Sequence, residues 1–363
     1  MDTTKSLSIN NTWHINNSTP KELGFRMPAE WEVHEGTWLS WPKDPITWPK
    51  QLDQVEDIFG RMIEILSQHE RVHVLVNDQK SEAYVRQKLS SKKFLEKNLE
   101  ILQIPTVDSW IRDYGPNFLV KENGQKKELA FNHWIFNAWG GKYKELMADT
   151  EIPEKITPLL KKSVFKPGIV LEGGSIDVNG TGLCLTTEQC LLTPTRNPHL
   201  NRDQIENYLK DYLHLKKIIW LGEGIVGDDT DGHVDDIVRF VNEDTVICAV
   251  EENDQDENYF LLQDNLKRLK QATNEKGQKL NAVPFPMPGI VSYESDRLPA
   301  SYANFYIANE VVLTPIFGHK NDNRALDILK ELFPKREVIG IQCEDLVVGL
   351  GAIHCVTQQQ PRI

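Results

Sequence analysis

Apolar residues recur at helical spacing in four stretches of the chain: Val55-Ile58-Phe59-Met62-Ile63-Leu66, Ile205-Tyr208-Leu209-Tyr212, Leu261-Leu262-Leu266-Leu269 and Ala325-Leu326-Ile328-Leu329-Leu332. Each places its large side chains on one face and predicts an amphipathic helix. A strand-length run follows each helix, at Val72 to Val76, Lys217 to Leu221, Asn281 to Pro284 and Glu337 to Ile341. Two further strands precede the next helix, so the repeating unit reads strand, strand, helix, strand. New strands are predicted to open at Asp113-Tyr-Gly-Pro-Asn-Phe-Leu-Val, Glu172-Gly-Gly-Ser-Ile-Asp-Val, His233-Val-Asp-Asp-Ile-Val-Arg-Phe, Tyr302-Ala-Asn-Phe-Tyr-Ile and Ile353-His-Cys-Val-Thr. A recurrence of roughly 50 to 70 residues suggests a propeller-like α/β array rather than a dinucleotide-binding sheet. In such a closed radial array the inner strand starts converge on one axis, and residues far apart in sequence meet there.

Composition narrows the function classes. Hydrophobic residues make up 40% and charged residues 26% of the 363 positions, which is ordinary for a globular protein with a sizeable core. The longer apolar runs, such as Val246 to Val250 or Val311 to Leu313, fall far short of the ~20 residues of a membrane span. The formal net charge of −12 argues against nucleic acid and anionic membrane as partners and suits a small cation. Five cysteines at irregular spacing, with no Cys-x-x-Cys pair, argue against a disulfide scaffold or zinc ribbon and for a reducing compartment, the cytoplasm. Met1 to Pro20 is polar and Asn-rich, without the pattern of a secretion signal. Glu251 to Asn258 and Gln271 to Lys279 read as solvated loops too short to separate domains.

The strand starts carry an unusual set: Asp113, Glu172, His233, Asp235 and Cys355. Gathering three carboxylates costs several kcal/mol by order of magnitude unless a cation compensates. A guanidinium suits them, being planar, permanently charged and rich in N–H donors that carboxylates accept in pairs. Cys355, in Gly349-Leu-Gly-Ala-Ile-His-Cys, is the candidate nucleophile, since a thiolate can attack a resonance-stabilised carbon. The plain alternative is a buried filler cysteine, the class to which Cys184, Cys190, Cys248 and Cys343 are assigned. Read as a strand, His233 and Asp235 share a face, so one can move protons while the other holds substrate. The surrounding Gly227-Asp-Asp-Thr-Asp-Gly-His-Val-Asp-Asp is also compatible with a surface acidic loop. It is not an EF-hand, because a register from Asp228 or Asp229 lacks Gly at the sixth position and Glu at the twelfth. Taken singly, Asp113 is equally a turn-former before Gly115-Pro116, and Glu172 a strand terminator. Only their joint occurrence favours chemistry.

The segments Trp110-Ile-Arg-Asp-Tyr-Gly-Pro, Phe136-Asn-Ala-Trp-Gly-Gly-Lys-Tyr, Glu172-Gly-Gly-Ser, Thr230-Asp-Gly-His-Val-Asp and Ile353-His-Cys-Val-Thr-Gln-Gln resemble those of agmatine deiminases. These belong to the guanidine-modifying superfamily, which includes bacterial peptidylarginine deiminases. The resemblance runs from about Phe25 to the C-terminus. It implies an α/β fold, the five-bladed propeller of ββαβ units called the pentein fold, with residues 1–24 as a polar tail and 25–363 as one catalytic domain. It further implies Cys355 as nucleophile, His233 as general acid and base, Asp113 and Asp235 as the clamp on the guanidinium, and Glu172 as a carboxylate touching both His233 and substrate. No cofactor or metal is called for, the expected partner is a small cationic guanidine, and a homodimer is left open. Trp110, Trp139 and Tyr114, beside the motifs, are candidates for stacking on the substrate or for packing. The nucleophile loop lacks an additional glycine and an asparagine expected in the family, which bears on substrate preference.

Three other functions use parts of the same set. Deimination of arginine or peptidyl-arginine calls for a group to meet the substrate's carboxylate or main chain, with Arg112 and Arg239 as candidates. A metal-dependent amidohydrolase would use His233, Asp235 and Glu172 as ligands. Against it stand the single histidine and the expectation that His354 and Cys355, adjacent on a strand, face opposite ways. A non-catalytic polyamine or arginine sensor would be marked by loss of the thiol or imidazole, and both are present.

Overall fold

The computed structural model describes residues 13–15, 17–124 and 126–363. Five of the six sheets among these residues follow one plan, an antiparallel strand pair extended by a parallel strand that returns after a helix. Asn117–Asn123 and Lys126–Asn132 are joined through Ile152–Leu160 to Ser163–Phe165. Asp177–Val178 and Leu183–Thr187 lead through Arg202–Leu213 to Lys217–Leu221. Val238–Phe240 and Thr245–Val250 lead through Asn258–Gln271 to Asn281–Pro286, and Tyr306–Ile307 and Val311–Ile316 through Asp322–Leu332 to Glu337–Gln342. The fifth sheet draws on both ends of the chain: Gln358–Pro361 pairs antiparallel with His34–Ser40, which is followed by the helix Leu52–Leu66 and the parallel strands Arg71–Val76 and Leu99–Gln103. The remaining sheet is a hairpin, Ser292–Tyr293 with Asp296–Arg297.

The four helices expected from periodicity are present and bury the expected faces; Leu52–Leu66 turns Val55, Phe59, Met62, Ile63 and Leu66 inward. Asn201 and Gln204 form a reciprocal capping box that starts Arg202–Leu213. Apart from single-turn segments, two α-helices among the described residues escaped the pattern. Gln79–Leu89 buries only Val85 and Leu89, too few to show a stripe. Ile152–Leu160 contains Pro153 and Pro158, which read as breakers; Pro153 sits in the first turn, where a missing N–H costs nothing. Of the expected tail, residues 1–12 and 16 lie outside the described residues. His14–Ile15 within it pairs in parallel with Val164 and Phe165.

One expectation needs correction. The residues singled out for chemistry precede the strands instead of lying on them. Asp113 is in the helical turn Ile111–Tyr114, Glu172 and His233 precede the 3-10 turns Gly173–Ser175 and Val234–Asp236, and Cys355 is in a turn before Gln358–Pro361. A strand would send neighbouring side chains to opposite faces, whereas these tight turns let close neighbours in sequence point the same way.

The turns are tied together by buried charge. Arg239, 1% exposed, pairs with Asp177 and, at 2.9 Å, with Glu30 Oε1, and donates to the Phe305 carbonyl at 2.7 Å. Arg112 donates to Gln359 Oε1 at 2.7 Å and to the His354 carbonyl at 3.3 Å. No described helix is long and apolar enough to cross a membrane. Removing one partner of a buried ion network leaves the others uncompensated. Arg239→Met is therefore expected to lower the unfolding free energy by about 3–5 kcal/mol in urea melts. A loss below about 1 kcal/mol would show that Arg239 is dispensable to the fold.

Candidate active site

A cavity of about 200 Å³ opens above these turns. Cys355, Asp113, Trp110, Trp139 and Tyr143 line it, and Ile46, 78% exposed, marks its mouth. Asp44, Asp108, Glu145 and Asp229 also contribute to the wall, and among the described residues no lysine or arginine does.

Four turns deliver the candidate side chains. Asp113 accepts from the Gly174 N–H through Oδ1 and from Trp139 Nε1 through Oδ2, both at 2.9 Å, and Oδ1 lies 3.8 Å from His233 Nδ1. Asp235 Oδ2 lies 2.6 Å from His354 Nδ1 and 3.9 Å from Cys355 Sγ. Glu172 Oε1 accepts from Arg196 Nε at 2.9 Å. Gly174 is at the centre: a Cβ there would fall 2.6 Å from His233 Nδ1 and 3.0 Å from both Asp113 Oδ1 and Asp235 Oδ2, so any side chain would displace the site. The oxygens and nitrogens left over are informative. Glu172 Oε2, Asp235 Oδ1 and both ring nitrogens of His233 are buried without a hydrogen-bond partner among the described residues. Buried polar atoms are rarely left so, and each unmet one costs about 1–3 kcal/mol.

The structure thus brings Asp113, Glu172, His233, Asp235 and Cys355 together. Trp139 reaches the site as a hydrogen-bond donor to Asp113, not only as a ring. It and Ala138 both have left-handed backbone, φ 52° and 53°, a strain that non-glycine residues sustain mainly at functional sites. Trp110 lines the cavity with its indole nitrogen on Asp108 Oδ2 at 2.9 Å; Gly351 lets the loop pass close over the ring, where a Cβ would sit 2.5 Å away. Tyr114 is buried, donates to the Asp108 carbonyl, and does not line the cavity. Arg112 and Arg239 are bound within the buried ion network and do not line it either.

His354 and Cys355 do not face opposite ways: both approach Asp235. Three further residues were missed. Arg196 holds Glu172 and also bonds Asp231 and, at 2.7 Å, the Thr230 carbonyl. It sits in the unpatterned loop Thr193-Pro-Thr-Arg-Asn-Pro, which offers no signal. Asn304 belongs to the fourth strand start, where position alone pointed to it. Its Oδ1 accepts the N–H groups of His354 and Cys355 at 2.9 and 3.3 Å, which turns Nδ2 toward Cys355 Sγ at 3.1 Å and Asp236 Oδ1 at 2.9 Å. Cys190, assigned as filler, has its sulfur within 4.8 Å of donor atoms of Glu172 and His233.

Electrostatics follow from burial and crowding. Burial, then Asp235 and Glu172, push Asp113 up to about 6 although His233 opposes them. Burial works against a charged His233, but the Asp113 carboxylate, Cys190 and Asp235 outweigh it and hold the imidazole well above its ordinary range. Burial also works against Asp235, yet the His354 bond, with His233 and Arg239, keeps it below the usual carboxylate range. Cys355 is pushed well above an ordinary thiol by burial and by Asp235, Asp236 and Asp113. Without an added positive charge the sulfur is a thiol facing acids. Among the described residues two clusters bring three donor atoms within 4.8 Å, Glu172 with Cys190 and His233, and Asp235 with Asp236 and Cys355. Neither reads as a metal centre, because Arg196 and a charged His233 occupy the first, and His354 and Asn304 engage the second.

Comparison with known proteins agrees with the geometry. A Legionella pneumophila relative provisionally named an agmatine deiminase is 38% identical over 348 residues, covering 95% of this chain and 98% of that protein. The solved agmatine deiminase of Enterococcus faecalis superposes with a TM-score of 0.89 at 34% identity, over 96% of this chain and 99% of that one. A cysteine-to-serine variant of the Campylobacter jejuni agmatine deiminase, solved with substrate bound, gives 0.82 at 32% identity, over 93% and 96%. The α/β fold is that of these deiminases. Residues 26–361 match the family described as Porphyromonas-type peptidyl-arginine deiminase, and to that family the chain belongs.

Proposed function

We propose that this protein is an agmatine deiminase, a hydrolase that converts the guanidinium of agmatine to a ureido group, releasing N-carbamoylputrescine and ammonia. The observation that carries the reading is the convergence of a thiol, an imidazole and three carboxylates, with unpartnered buried atoms on Glu172, Asp235 and His233, next to an acid-walled cavity that Asp113 and Cys355 of the set line. A planar cation with several N–H donors meets those oxygens and relieves their repulsion. In this reading Asp113 and Asp235 clamp the guanidinium with its carbon toward Cys355 Sγ. The bound charge draws the thiol toward thiolate, and Asn304 Nδ2 supplies a hydrogen bond to the sulfur.

Attack of sulfur on the carbon forms a tetrahedral adduct. His233, charged beforehand, donates a proton to one nitrogen, the C–N bond breaks, and ammonia leaves an S-alkyl thiouronium. Water then adds to the same carbon while His233 takes one of its protons; the adduct's remaining O–H proton passes to the sulfur as the C–S bond breaks, which returns the thiol and releases the ureide. Glu172, held by Arg196 and within 4.8 Å of His233, accepts from the guanidinium. The steps need no cofactor.

The same reading includes a five-bladed α/β propeller, supported by five sheets of one plan, the last completed by the strand Gln358–Pro361. Residues 25–363 then form one catalytic domain. Cytoplasmic residence fits five unpaired, buried cysteines.

Selectivity follows from the wall. Agmatine is arginine without the carboxylate, and its far amine is a second cation. An arginine carboxylate would enter among Asp44, Asp108, Glu145 and Asp229 without a lining cation to meet it, at a cost of several kcal/mol. Saturation curves are expected to favour agmatine over free arginine by at least about 10³ in kcat/KM, or roughly 4 kcal/mol. Equal efficiency on arginine, or a preference for a blocked peptidyl-arginine, would overturn the substrate while leaving the deiminase chemistry.

Cys355→Ser should fold normally and release essentially no ammonia from agmatine, because a hydroxyl cannot reach the anionic state at neutral pH. Activity near that of the unaltered enzyme would remove Cys355 from the nucleophile's role.

The pH profile tests Asp113. With its carboxyl pushed up to about 6, it is ionised above that pH and neutral below, so the clamp on the cation weakens as pH falls. Since kcat/KM reports the free enzyme, it should fall on the acid side through about pH 6, and a flat profile down to pH 5 would contradict the assignment.

A further inference from the structure

Directly behind the substrate carboxylate Asp235, and outside the mechanism just given, three ionisable groups are stacked in line. His354 Nδ1 lies 2.6 Å from Asp235 Oδ2, and His354 Nε2 lies 2.8 Å from Glu30 Oε2. Asp235 is fully buried, His354 is 3% exposed and Glu30 is 7% exposed. The far end is anchored: Glu30 Oε1 pairs with Arg239 at 2.9 Å and accepts the Ile307 N–H at 2.8 Å, while Oε2 lies 3.5 Å from Arg112. The ring's own backbone is fixed too, its N–H on Asn304 Oδ1 and its carbonyl accepting from Arg112.

Counting hydrogens decides what this line contains. Each contact needs one hydrogen between nitrogen and oxygen, and an ionised carboxylate brings none. A neutral imidazole brings one, which would leave a bare lone pair against an anionic oxygen at 2.6 or 2.8 Å. Burial, with Arg112 and Arg239, pulls His354 below the ordinary imidazole range although Glu30 and Asp235 favour its charge, so the case for a second hydrogen rests on the two short contacts. Both carboxylates are held below their usual range, Glu30 by Arg239, His354 and Arg112 against its burial, so neither readily keeps the second hydrogen. It belongs on the ring.

We propose that His354 is a positioning residue: held as an imidazolium between Glu30 and Asp235, it fixes the Asp235 carboxylate with Oδ1 toward the guanidinium, and Glu30 is the counter-charge that keeps the ring doubly protonated. Its kinetic part rests on Asp235 being the guanidinium clamp. The line supplies fixed charge behind the clamp, so that Asp235 meets the substrate already ionised and oriented.

The test uses the full-length protein labelled with ¹⁵N-histidine and free of ligand, with His354→Gln assigning the signal. At pH 7.5 the His354 ring should show both nitrogens protonated, and in Glu30→Gln it should become neutral at the same pH. In parallel, Glu30→Gln should raise the KM for agmatine by about tenfold or more while kcat falls less than about threefold, the split expected when ground-state positioning is lost. A singly protonated His354 ring in the unaltered protein overturns the proposal. So does a Glu30→Gln enzyme with unchanged KM. Should either variant fail to fold, the other still assigns the ring, since one removes its signal and the other shifts it. If the unaltered protein turns over no agmatine, the functional reading fails, whereas the ring's protonation is still read from the spectrum.

Discussion

The repulsion among buried carboxylates is the constraint on which the rest of this structure depends. Asp113, Glu172, Asp235 and Asp236 lie within a few side chains of one another, all buried, near a thiol that burial and the charge of Asp235, Asp236 and Asp113 keep protonated. No apolar core gathers acids in this way, because each unpaired charge in low dielectric opposes folding. The chain meets the problem in layers. Arg196 takes one oxygen of Glu172, His354 one of Asp235, the Gly174 N–H and Trp139 those of Asp113, and Asn304 one of Asp236. Glu172 Oε2 and Asp235 Oδ1 stay buried without a partner among the described residues, and in the proposed reaction a planar cation meets them.

Those supporting layers explain why the arginines are not substrate ligands. Arg112 and Arg239 are both buried, and their partners are Glu30, Asp177, Gln359 and backbone carbonyls. They hold separate turns against one another, and with them the acids that face the cavity.

Much of this was legible in the sequence, and for a physical reason. Helix periodicity depends on local burial, so Leu52–Leu66 and Asp322–Leu332 could be read from their apolar stripes. Gln79–Leu89 and Ile152–Leu160 could not, the one too polar and the other interrupted by prolines. The five candidate residues were recognisable because ionisable groups recur at the predicted strand starts and lie in the motifs that resemble agmatine deiminases. Their geometry was not. Placing His233, Asp235, His354 and Cys355 on strands gave the wrong facing for the last two, since a turn's direction depends on contacts such as Asn304 with both backbone N–H groups, made across 50 residues of chain. Arg196 shows the limit: a single arginine between prolines has no periodicity, and its role appears only once Glu172 and Asp231 have been brought to it.

The strand Gln358–Pro361 ties the cavity to a distant part of the chain. It follows the Cys355 turn closely, and it pairs antiparallel with His34–Ser40, neither strand lining the cavity. A substitution that loosened this pairing would therefore carry to the Cys355 turn without altering a single residue of the cavity wall.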